Sequence, residues 1–232
     1  MLQLDRLTLK QGSFLLTADW SVAPGSRIAV MGPSGAGKST LLSAIAGFLT
    51  PTEGRILWQG QDLVDVQPGE RPVTILFQDQ NLFPHLTVAQ NLGLGIRPDL
   101  RLSPADRLRI DKALDRVGLA AMGTRRPAQL SGGQASRAAL ARALLRARPI
   151  LLLDEPFAAL GPALRDEMLG LVREVADETG ALVLMVTHDP EDALALGGMT
   201  AFVANGLVRP PVDTPALMGD QTAEVQDYLG RK

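Results

Sequence analysis

One stretch of the sequence, residues 27–47, carries the residue types and the spacing needed to bind a phosphate chain. It reads RIAVMGPSGAGKSTLLSAIAG: an apolar segment, a glycine-rich segment ending in a lysine, and apolar residues at helical spacing. The middle part fills the pattern G-x-x-x-x-G-K-[ST] between a predicted strand and a predicted helix. We call residues 32–40 the phosphate loop, and we expect nucleotide contacts from Gly32, Pro33, Ser34, Gly35, Ala36, Gly37, Lys38, Ser39 and Thr40.

The chemistry of such a loop is anion binding. Glycines allow successive backbone N–H groups to point at phosphate oxygens, and the positive end of the helix dipole adds to the attraction. Lys38 can reach the β- and γ-phosphates, and the Ser39 hydroxyl can bind Mg²⁺. An ordinary tight turn is the alternative, but the complete motif in its proper context favours a nucleoside triphosphate with Mg²⁺, and hence ATP-type chemistry.

Polar side chains follow three further apolar segments that we predict to be buried strands. Four such strands, alternating with helices, predict a largely parallel sheet covered on both faces. Ligands of such sheets bind at the carboxyl ends of the strands. The residues that we therefore expect to share one site with Lys38 are Gln78 after residues 73–77, Asp154 and Glu155 after residues 150–153, and His188 after residues 182–186.

The two neighbouring carboxylates can do different chemistry. Asp154 can cap a turn, but beside a phosphate loop it is better suited to complete the Mg²⁺ sphere. Glu155 can accept a proton from water, and Pro156 is expected to keep the Glu155 backbone extended.

Two other candidates have equally simple structural explanations. His188 can contact a γ-phosphate, or it can be a surface histidine at the start of a helix capped by Asp189. Gln78 can contact the nucleotide site, or it can cap the end of a strand. The residue types alone leave both questions open.

A second glycine-rich helix start is predicted at residues 130–134, LSGGQ, ahead of a helix over residues 135–147. It can be a plain helix N-terminus with a serine cap. It is also a second anion-binding helix end, and no acidic residue nearby neutralises it. We call residues 130–134 the signature segment; its polar and glycine residues are Ser131, Gly132, Gly133 and Gln134.

The rest of the sequence predicts the strands and helices that surround these motifs. Residues 2–10, 13–22 and 55–58 have the character of half-buried strands, and we expect residues 1–25 and 55–75 to form a small antiparallel layer. A helix is predicted from the Ser103 cap to Gly118. Residues 200–209 predict a hairpin with an Asn-Gly turn, and residues 214–230 predict a terminal helix.

The amino-acid composition excludes several classes of protein and several kinds of site. The 232 residues, 46% of them hydrophobic, can bury one good core. There is no cysteine, which excludes disulfides and thiolate metal sites, and the formal net charge of −2 argues against a nucleic-acid-binding surface. No run of 18 apolar residues occurs, so we expect any membrane role to act through a partner. The N-terminal residues do not resemble a secretory signal.

Taken together, the motifs resemble those of the ATP-binding cassette (ABC) ATPases, over the whole chain. Residues 32–40 match the Walker A loop, Gln78 the Q-loop, residues 150–155 Walker B with the catalytic glutamate, and His188 the H-loop. The signature segment matches the family signature letter for letter. The resemblance implies an α/β fold of the P-loop NTPase (RecA-like) kind, with a mostly parallel sheet, an antiparallel β layer and an inserted α-helical subdomain. It implies one nucleotide-binding domain over residues 1–232, with a core of about 1–80 and 148–232 and a helical subdomain of about 81–147.

The resemblance also implies roles. Two chains pair head to tail, so that ATP lies between the phosphate loop of one chain and Ser131, Gly132, Gly133 and Gln134 of the other. Glu155 polarises the attacking water, and His188 contacts the γ-phosphate. Ser39, Asp154 and Gln78 hold Mg²⁺, and Gln78 links the site to the membrane partner.

The chain most resembles the separate ATPase subunits of bacterial importers. Residues 45–54 and 76–95 are similar to those of thiamine and thiamine-pyrophosphate importers, with iron, molybdate, sulfate and polyamine importers as alternatives. The implied partners are a second copy, transmembrane permease subunits and, through the permease, a periplasmic binding protein, and not nucleic acid. The implied location is the cytoplasmic face of the inner membrane. A soluble ABC ATPase acting on DNA or ribosomes, and a P-loop kinase or regulatory switch, are the rival classes.

Two residues depart from the family pattern. Gln11 stands near the place of the usual adenine-stacking aromatic residue, and Phe14 is the nearest substitute. Gly161 stands where the segment after Walker B, the D-loop, normally has aspartate, which puts communication between the two ATP sites in doubt.

Overall fold

The computed structural model describes residues 1–79, 81–158 and 160–230. In these residues the strands are β1 (Leu2–Gln11), β2 (Phe14–Val22), β3 (Arg27–Met31), β4 (Glu53–Trp58), β5 (Gln61–Asp62), β6 (Val73–Leu76), β7 (Ile150–Asp154), β8 (Leu182–Val186), β9 (Met199–Ala204), β10 (Leu207–Val208) and β11 (Val212–Asp213). The α-helices are α1 (Lys38–Ala46), α2 (Val88–Ile96), α3 (Pro104–Arg116), α4 (Gly132–Leu145), α5 (Pro162–Thr179), α6 (Pro190–Leu196), α7 (Thr214–Met218) and α8 (Ala223–Tyr228).

The centre of the molecule is a parallel sheet. Strands β3, β8, β7 and β6 lie side by side in that order and are parallel, and β9 adds a fifth parallel strand beyond β3. The four strands predicted from apolar runs are these four. Their residues are almost all buried because helices cover both faces, as continuous aliphatic segments require.

An antiparallel layer extends the sheet. Strand β1 pairs with β2 and β4, and β4 pairs with β5, all antiparallel. The short strand β10 joins β2 to β9, so that the layer and the parallel strands form one continuous sheet. The predicted layer over residues 1–25 and 55–75 was too wide, because residues 73–75 belong to β6 and pair in parallel with β7.

Three helices pack together beside the parallel strands. Helix α3 begins with the predicted Ser103 cap: the Ser103 hydroxyl and the Asp106 carboxylate cap each other's backbone N–H groups. Helix α4 begins at Gly132, three residues earlier than predicted, because Ser131 caps it and the two glycines are already helical. Apolar residues of α2, α3 and α4 form one core with the face of the parallel sheet that these helices cover.

The C-terminal part differs from the prediction. The hairpin forms as expected, with Asn205 and Gly206 both at positive φ (50° and 75°) between β9 and β10. The single helix predicted over residues 214–230 is wrong. The chain forms two short helices, α7 and α8, because the backbone N–H groups of Gly219 and Asp220 bond back to α7 and end it.

Within the described residues, no helix is long and apolar enough to cross a bilayer.

Candidate functional site

The phosphate loop follows β3 and leads directly into α1. Gly32 has φ 146°, and a Cβ atom there would lie 2.1 Å from the Val203 carbonyl oxygen, so only glycine fits. Gly37, in the left-handed region at φ 106°, precedes α1 without a side-chain cap. The backbone N–H groups of the first turn of α1 therefore lack a side-chain acceptor at the cap, which leaves them suited to a phosphate.

Lys38 is held inside this loop. Its ammonium donates to the carbonyl oxygens of Gly32 (2.7 Å) and Pro33 (2.9 Å), and the residue is only 8% exposed. Burial lowers the pKa of Lys38, and the nearby Glu155 and Asp154 carboxylates act in the opposite direction. The loop thus presents a fixed cation at the point where the nucleotide phosphates would arrive.

Ser39 and Asp154, two of the residues expected to bind Mg²⁺, lie next to each other. The Ser39 hydroxyl donates to an Asp154 carboxylate oxygen at 3.0 Å, although 115 residues separate them in sequence. Burial raises the pKa of Asp154, and the bond from Ser39 opposes that shift.

These two residues offer oxygen donors of the kind that Mg²⁺ prefers. No cluster of three or more His, Cys, Asp or Glu side chains is present in the described part of the chain, so a cage built of protein side chains alone is not what this site provides. A hydroxyl and a single carboxylate fit a Mg²⁺ ion that takes its other ligands from phosphate and water.

Glu155 and His188 face each other beside the metal residues. The His188 Nδ1 atom lies 3.3 Å from a Glu155 carboxylate oxygen, and the imidazole is 61% exposed. The expectation of an extended backbone at Glu155 was wrong: its φ is +44°, in the left-handed region. The Glu155 N–H donates to the Val186 carbonyl at 3.1 Å, which extends the bonding between β7 and β8 by one residue. A non-glycine residue in this region is uncommon and is often found at functional sites.

The loop that carries His188 is tied to α5. Asp189 caps α6 through the Glu191 N–H, as the structural explanation of this segment predicted, and it also accepts from Arg165 of α5 at 2.6 Å. Asp192 lies 3.6 Å from Arg165 and accepts from the Thr187 hydroxyl. Sequence reasoning missed Arg165, because one arginine on the polar face of a helix gives no signal of its partner.

Gln78 lies exposed two residues after the end of β6. Its strand pairs with β7 in the register Leu76 to Leu153, so Gln78 emerges beside the strand that ends at Asp154. The parallel sheet therefore brings Gln78, Asp154, Glu155 and the His188 loop to one edge, as the sequence predicted.

A cavity of about 400 Å³ opens beside the phosphate loop. It is lined by Gln11, Phe14, Ser34, Gly35, Gly37, Lys38, Ser39, Thr40 and Glu155. A Cβ atom on Gly37 would lie 2.6 Å from the Phe14 ring, so this ring packs directly on the loop. Phe14, the expected substitute for the adenine-stacking residue, thus borders the cavity together with the non-aromatic Gln11.

The signature segment is organised differently. The Ser131 hydroxyl accepts from the Gln134 N–H at 3.3 Å, and the Gln134 side chain accepts from the Ser131 N–H at 2.9 Å. Ser131 and Gly132 are exposed. Among the described lining residues of the phosphate-loop cavity, none belongs to the signature segment.

Gly161 directly precedes α5 at its N-cap position and offers no side-chain cap. A Cβ atom there would meet nothing within 4 Å. Within the D-loop segment, residues 158–161, Ala159 lies outside the described residues.

A second, mostly apolar cavity of about 400 Å³ lies between the parallel sheet and the helices α2 and α4. We call it the apolar groove; its lining includes Phe48, Phe77, Phe83, Leu94 and Ala139. Phe48 is 58% exposed and Phe83 46% exposed, whereas Leu82 packs against the core. Near the groove, Phe83 and its ring neighbour His85 are therefore the exposed rings of the segment that follows Gln78.

Comparison with known proteins agrees with this geometry. Residues 15–158 match the family model described as "ABC transporter". The chain belongs to this family. The resemblance drawn from the motifs is confirmed, as are the P-loop NTPase fold and the assignment as an ATPase coupled to transport.

Curated relatives cover the whole chain. Proteins called "Thiamine import ATP-binding protein ThiQ" are 66% identical in Cereibacter sphaeroides and 54% identical in a Ruegeria species, each over 99% of this chain and 100% of the relative. The protein of that name from Yersinia pseudotuberculosis is 49% identical over 100% of this chain and 98% of the relative.

Solved structures share the fold. One is the dimeric post-hydrolysis state of the ATP-binding cassette MJ0796 bound to ADP and Pi, at 31% identity and a TM-score of 0.82. It covers 92% of this chain, and 99% of that structure is matched.

Proposed function

We propose that this chain is the ATP-hydrolysing subunit of an importer that takes up thiamine or thiamine pyrophosphate. The observation that carries the proposal is the full-length similarity, at 49–66% identity, to relatives named for thiamine import. The phosphate loop and the paired Glu155 and His188 give the chain the groups that ATP hydrolysis needs. Importers of iron, molybdate, sulfate or polyamines are the alternative substrates.

In the proposed reaction, the loop amides and Lys38 bind the β- and γ-phosphates. Ser39 and Asp154, with Gln78 from the neighbouring strand, hold Mg²⁺, which neutralises developing phosphate charge when bound. Glu155 orients the attacking water and accepts its proton, because its carboxylate lies at the end of a rigid buried strand.

His188 completes this group of residues. Its Nδ1 atom is within 3.3 Å of Glu155, and its exposed ring can contact the γ-phosphate. The two side chains thus converge from two neighbouring strand ends.

We further propose that the signature segment acts on the ATP of a second copy. Ser131, Gly132, Gly133 and Gln134 start a helix whose end is exposed and carries no acidic residue in its first turn. The dimeric state of the solved relative supports a pair of chains. In the proposed pair the chains are arranged head to tail, and each ATP lies between them. The assembly is then a homodimer with two composite sites.

The apolar groove is the proposed place where the permease binds. An exposed aromatic pair, Phe48 and Phe83, borders a mostly apolar cavity next to the segment that follows Gln78. Through the permease, the ATPase would act with a periplasmic binding protein at the cytoplasmic face of the inner membrane. Because the chain has no cysteine, a single Phe83→Cys substitution provides a unique site for crosslinking to the permease.

The proposed domain organisation is one nucleotide-binding domain. Residues of about 1–80 and 148–232 would form the core with its β layer, and residues of about 81–147 the helical subdomain that carries the signature segment. Contacts of α2, α3 and α4 with one another support this division.

The test is uptake by the assembled transporter. The chain is purified together with its permease and reconstituted into vesicles containing ATP and Mg²⁺, and labelled thiamine is added with the binding protein. We expect thiamine accumulation that stops with Glu155→Gln, and no accumulation of sulfate, molybdate, Fe³⁺ or spermidine. ATP-dependent accumulation of one of these and not of thiamine would replace the substrate but keep the ATPase role.

A further inference from the structure

The sole tyrosine of the sequence touches the loop of the candidate γ-phosphate histidine. Tyr228, the last residue of α8, donates its hydroxyl to the backbone carbonyl of His188 at 3.1 Å. The two residues are 40 positions apart in sequence, so only the tertiary fold brings them together.

The ring that carries this hydroxyl is fixed by packing. It is half-buried and meets the Phe202 ring edge-on, with centroids 5.5 Å apart and an interplanar angle of 72°. Phe202 is buried in the core strand β9. The position of the hydroxyl is therefore set by the sheet itself.

Helix α8 is also attached at its other end. Arg209, just after β10, lies over the Phe202 ring at 5.6 Å and forms ion pairs with Asp220 (3.7 Å) and Glu224. Glu224 also accepts from Asn205 in the hairpin turn. These contacts join the short C-terminal helix to the β9–β10 hairpin and prevent Tyr228 from moving independently of it.

The phenol lies among the groups of the active site. Burial raises the pKa of Tyr228, an interaction with the Gly32 backbone lowers it, and the charges of Glu155 and Asp189 raise it further. The geometric contact of the hydroxyl is the bond to the His188 carbonyl at 3.1 Å.

The hydrogen bond from Tyr228 restrains a loop whose histidine side chain has few other contacts. The His188 side chain is mostly exposed, and its recorded contact is the 3.3 Å approach of Nδ1 to Glu155. A bond to the His188 carbonyl restricts the backbone from which the imidazole projects, and so restricts where Nδ1 and the opposite ring edge lie.

We propose that Tyr228 is a positioning residue for ATP hydrolysis, which holds the His188 backbone through its hydroxyl so that the imidazole faces both Glu155 and the γ-phosphate. The proposal rests on the role of His188 in the proposed function. It assigns the C-terminal helix a part in turnover rather than in folding alone.

The test is Tyr228→Phe in the full chain, because phenylalanine keeps the ring contact with Phe202 and removes only the hydroxyl. A lost neutral hydrogen bond predicts a fall in kcat of about two- to tenfold. The KM for ATP is expected to stay within about twofold, since Lys38 and the loop amides are untouched. Thr179→Val, which loses a hydroxyl-to-carbonyl bond at the far end of α5, is the matched control and should keep the kcat of wild type.

A double substitution separates positioning from a general structural effect. In a His188→Ala background, whose residual turnover is followed with γ-labelled ATP over hours, Tyr228→Phe should cause no further loss. An equal further loss in that background, or an unchanged kcat for Tyr228→Phe alone, would overturn the proposal.

The same series distinguishes this proposal from the proposed function. If His188→Ala is slow but Tyr228→Phe is normal, only the role of Tyr228 fails. If His188→Ala hydrolyses ATP like wild type, the proposed role of His188 fails, and the role of Tyr228 fails with it.

Discussion

Two glycine-rich helix N-termini of this protein, at the phosphate loop and at the signature segment, are capped in opposite ways. Helix α1 begins after Gly37, in the left-handed region and without a side-chain cap, whereas α4 begins after Ser131 with a complete capping box. The first end leaves its amides available to a ligand. At the second end, two backbone N–H groups, those of Ser131 and Gln134, are already bound by side chains of the capping box.

The two helix ends also differ in burial: the phosphate loop is the more buried of the two. Lys38 is 8% exposed and held by two loop carbonyls, whereas Ser131 and Gly132 are exposed. One end is thus assembled within the chain, and the other end faces outward. This difference is consistent with the proposed function, in which the phosphate loop binds the nucleotide and the signature segment contacts it when a second chain arrives.

The largest effect is expected from removing the cation of the first end. Lys38→Ala should lower ATPase activity at least about 100-fold, because the loop loses its charge-assisted contact with the phosphates. The fold should persist, since burial disfavours the Lys38 charge. Measured ATP binding should fall with the turnover, and Lys10→Ala, an exposed lysine on β1, is the control. Normal ATPase activity in a folded Lys38→Ala protein would refute the assignment of the loop.

Asp154→Asn should affect activity and stability in opposite directions. The Mg²⁺ concentration for half-maximal activity should rise about 10- to 100-fold, as for other residues that orient a metal site. Burial raises the pKa of Asp154 above 3.8, so the folded state binds this proton more tightly than the unfolded state does. Its charge therefore destabilises the fold at neutral pH.

The stability part of this prediction is a higher Tm for Asp154→Asn than for wild type at pH 7, without nucleotide. The difference should shrink as the pH is lowered towards 3.8. A lower Tm at pH 7 would show that the bond from Ser39 outweighs the cost of burying the carboxylate.

Ser131→Ala tests whether Ser131 of the signature segment only caps α4 or also contributes to hydrolysis. Loss of the cap should cost about 1 kcal/mol, or roughly 2–4 °C in Tm for a chain of this size. Ser103→Ala is the matched control, because Ser103 caps α3 with the same capping box. Both variants should lose similar stability, but only Ser131→Ala should lower kcat, by about tenfold. Equal kcat values would mean that Ser131 is a cap and nothing more.

The smallest effect is expected at Gly161, the N-cap of α5. Gly161→Asp and Gly161→Asn both fit the open space there, and each should stabilise the helix by a few tenths of a kcal/mol. Only Gly161→Asp restores the charge of the usual D-loop aspartate, so only this variant should change the Hill coefficient of ATP hydrolysis in the assembled transporter. An unchanged Hill coefficient would show that the departure is neutral.

Much of the site could be predicted because its motifs are local. The glycine pattern of residues 32–40 and the apolar runs before Asp154 and His188 each occupy a few consecutive residues. The parallel sheet then brings their ends together by a general rule. The family resemblance suggested Phe14 as a substitute for the adenine-stacking residue; Phe14 borders the cavity, and its contact with adenine stays a prediction.

The parts that could not be predicted depend on contacts distant in sequence. The positive φ of Glu155 departs from the extended backbone that the following Pro156 favours, and no local pattern in the sequence predicts it. Arg165 and Tyr228 reach the His188 loop from helices 24 and 40 residues away. Helix α4 began earlier than predicted because a strong cap outweighs the low helix propensity of two glycines.

The central claim is that each ATP is held by the two different helix ends of two chains. Glu155→Gln tests it, because glutamine keeps the shape of the side chain but cannot accept the proton, which should slow turnover roughly 100- to 10,000-fold. ATP should then stay bound and hold two chains together through Ser131 and Gly133.

The measurement is the molar mass of Glu155→Gln by light scattering, with and without ATP and Mg²⁺, alone and combined with Ser131→Arg. The account predicts a dimer only with ATP and Mg²⁺, and a monomer with bound ATP when Ser131→Arg is added. A dimer that persists with Ser131→Arg, or a monomer of Glu155→Gln that retains ATP, would contradict it.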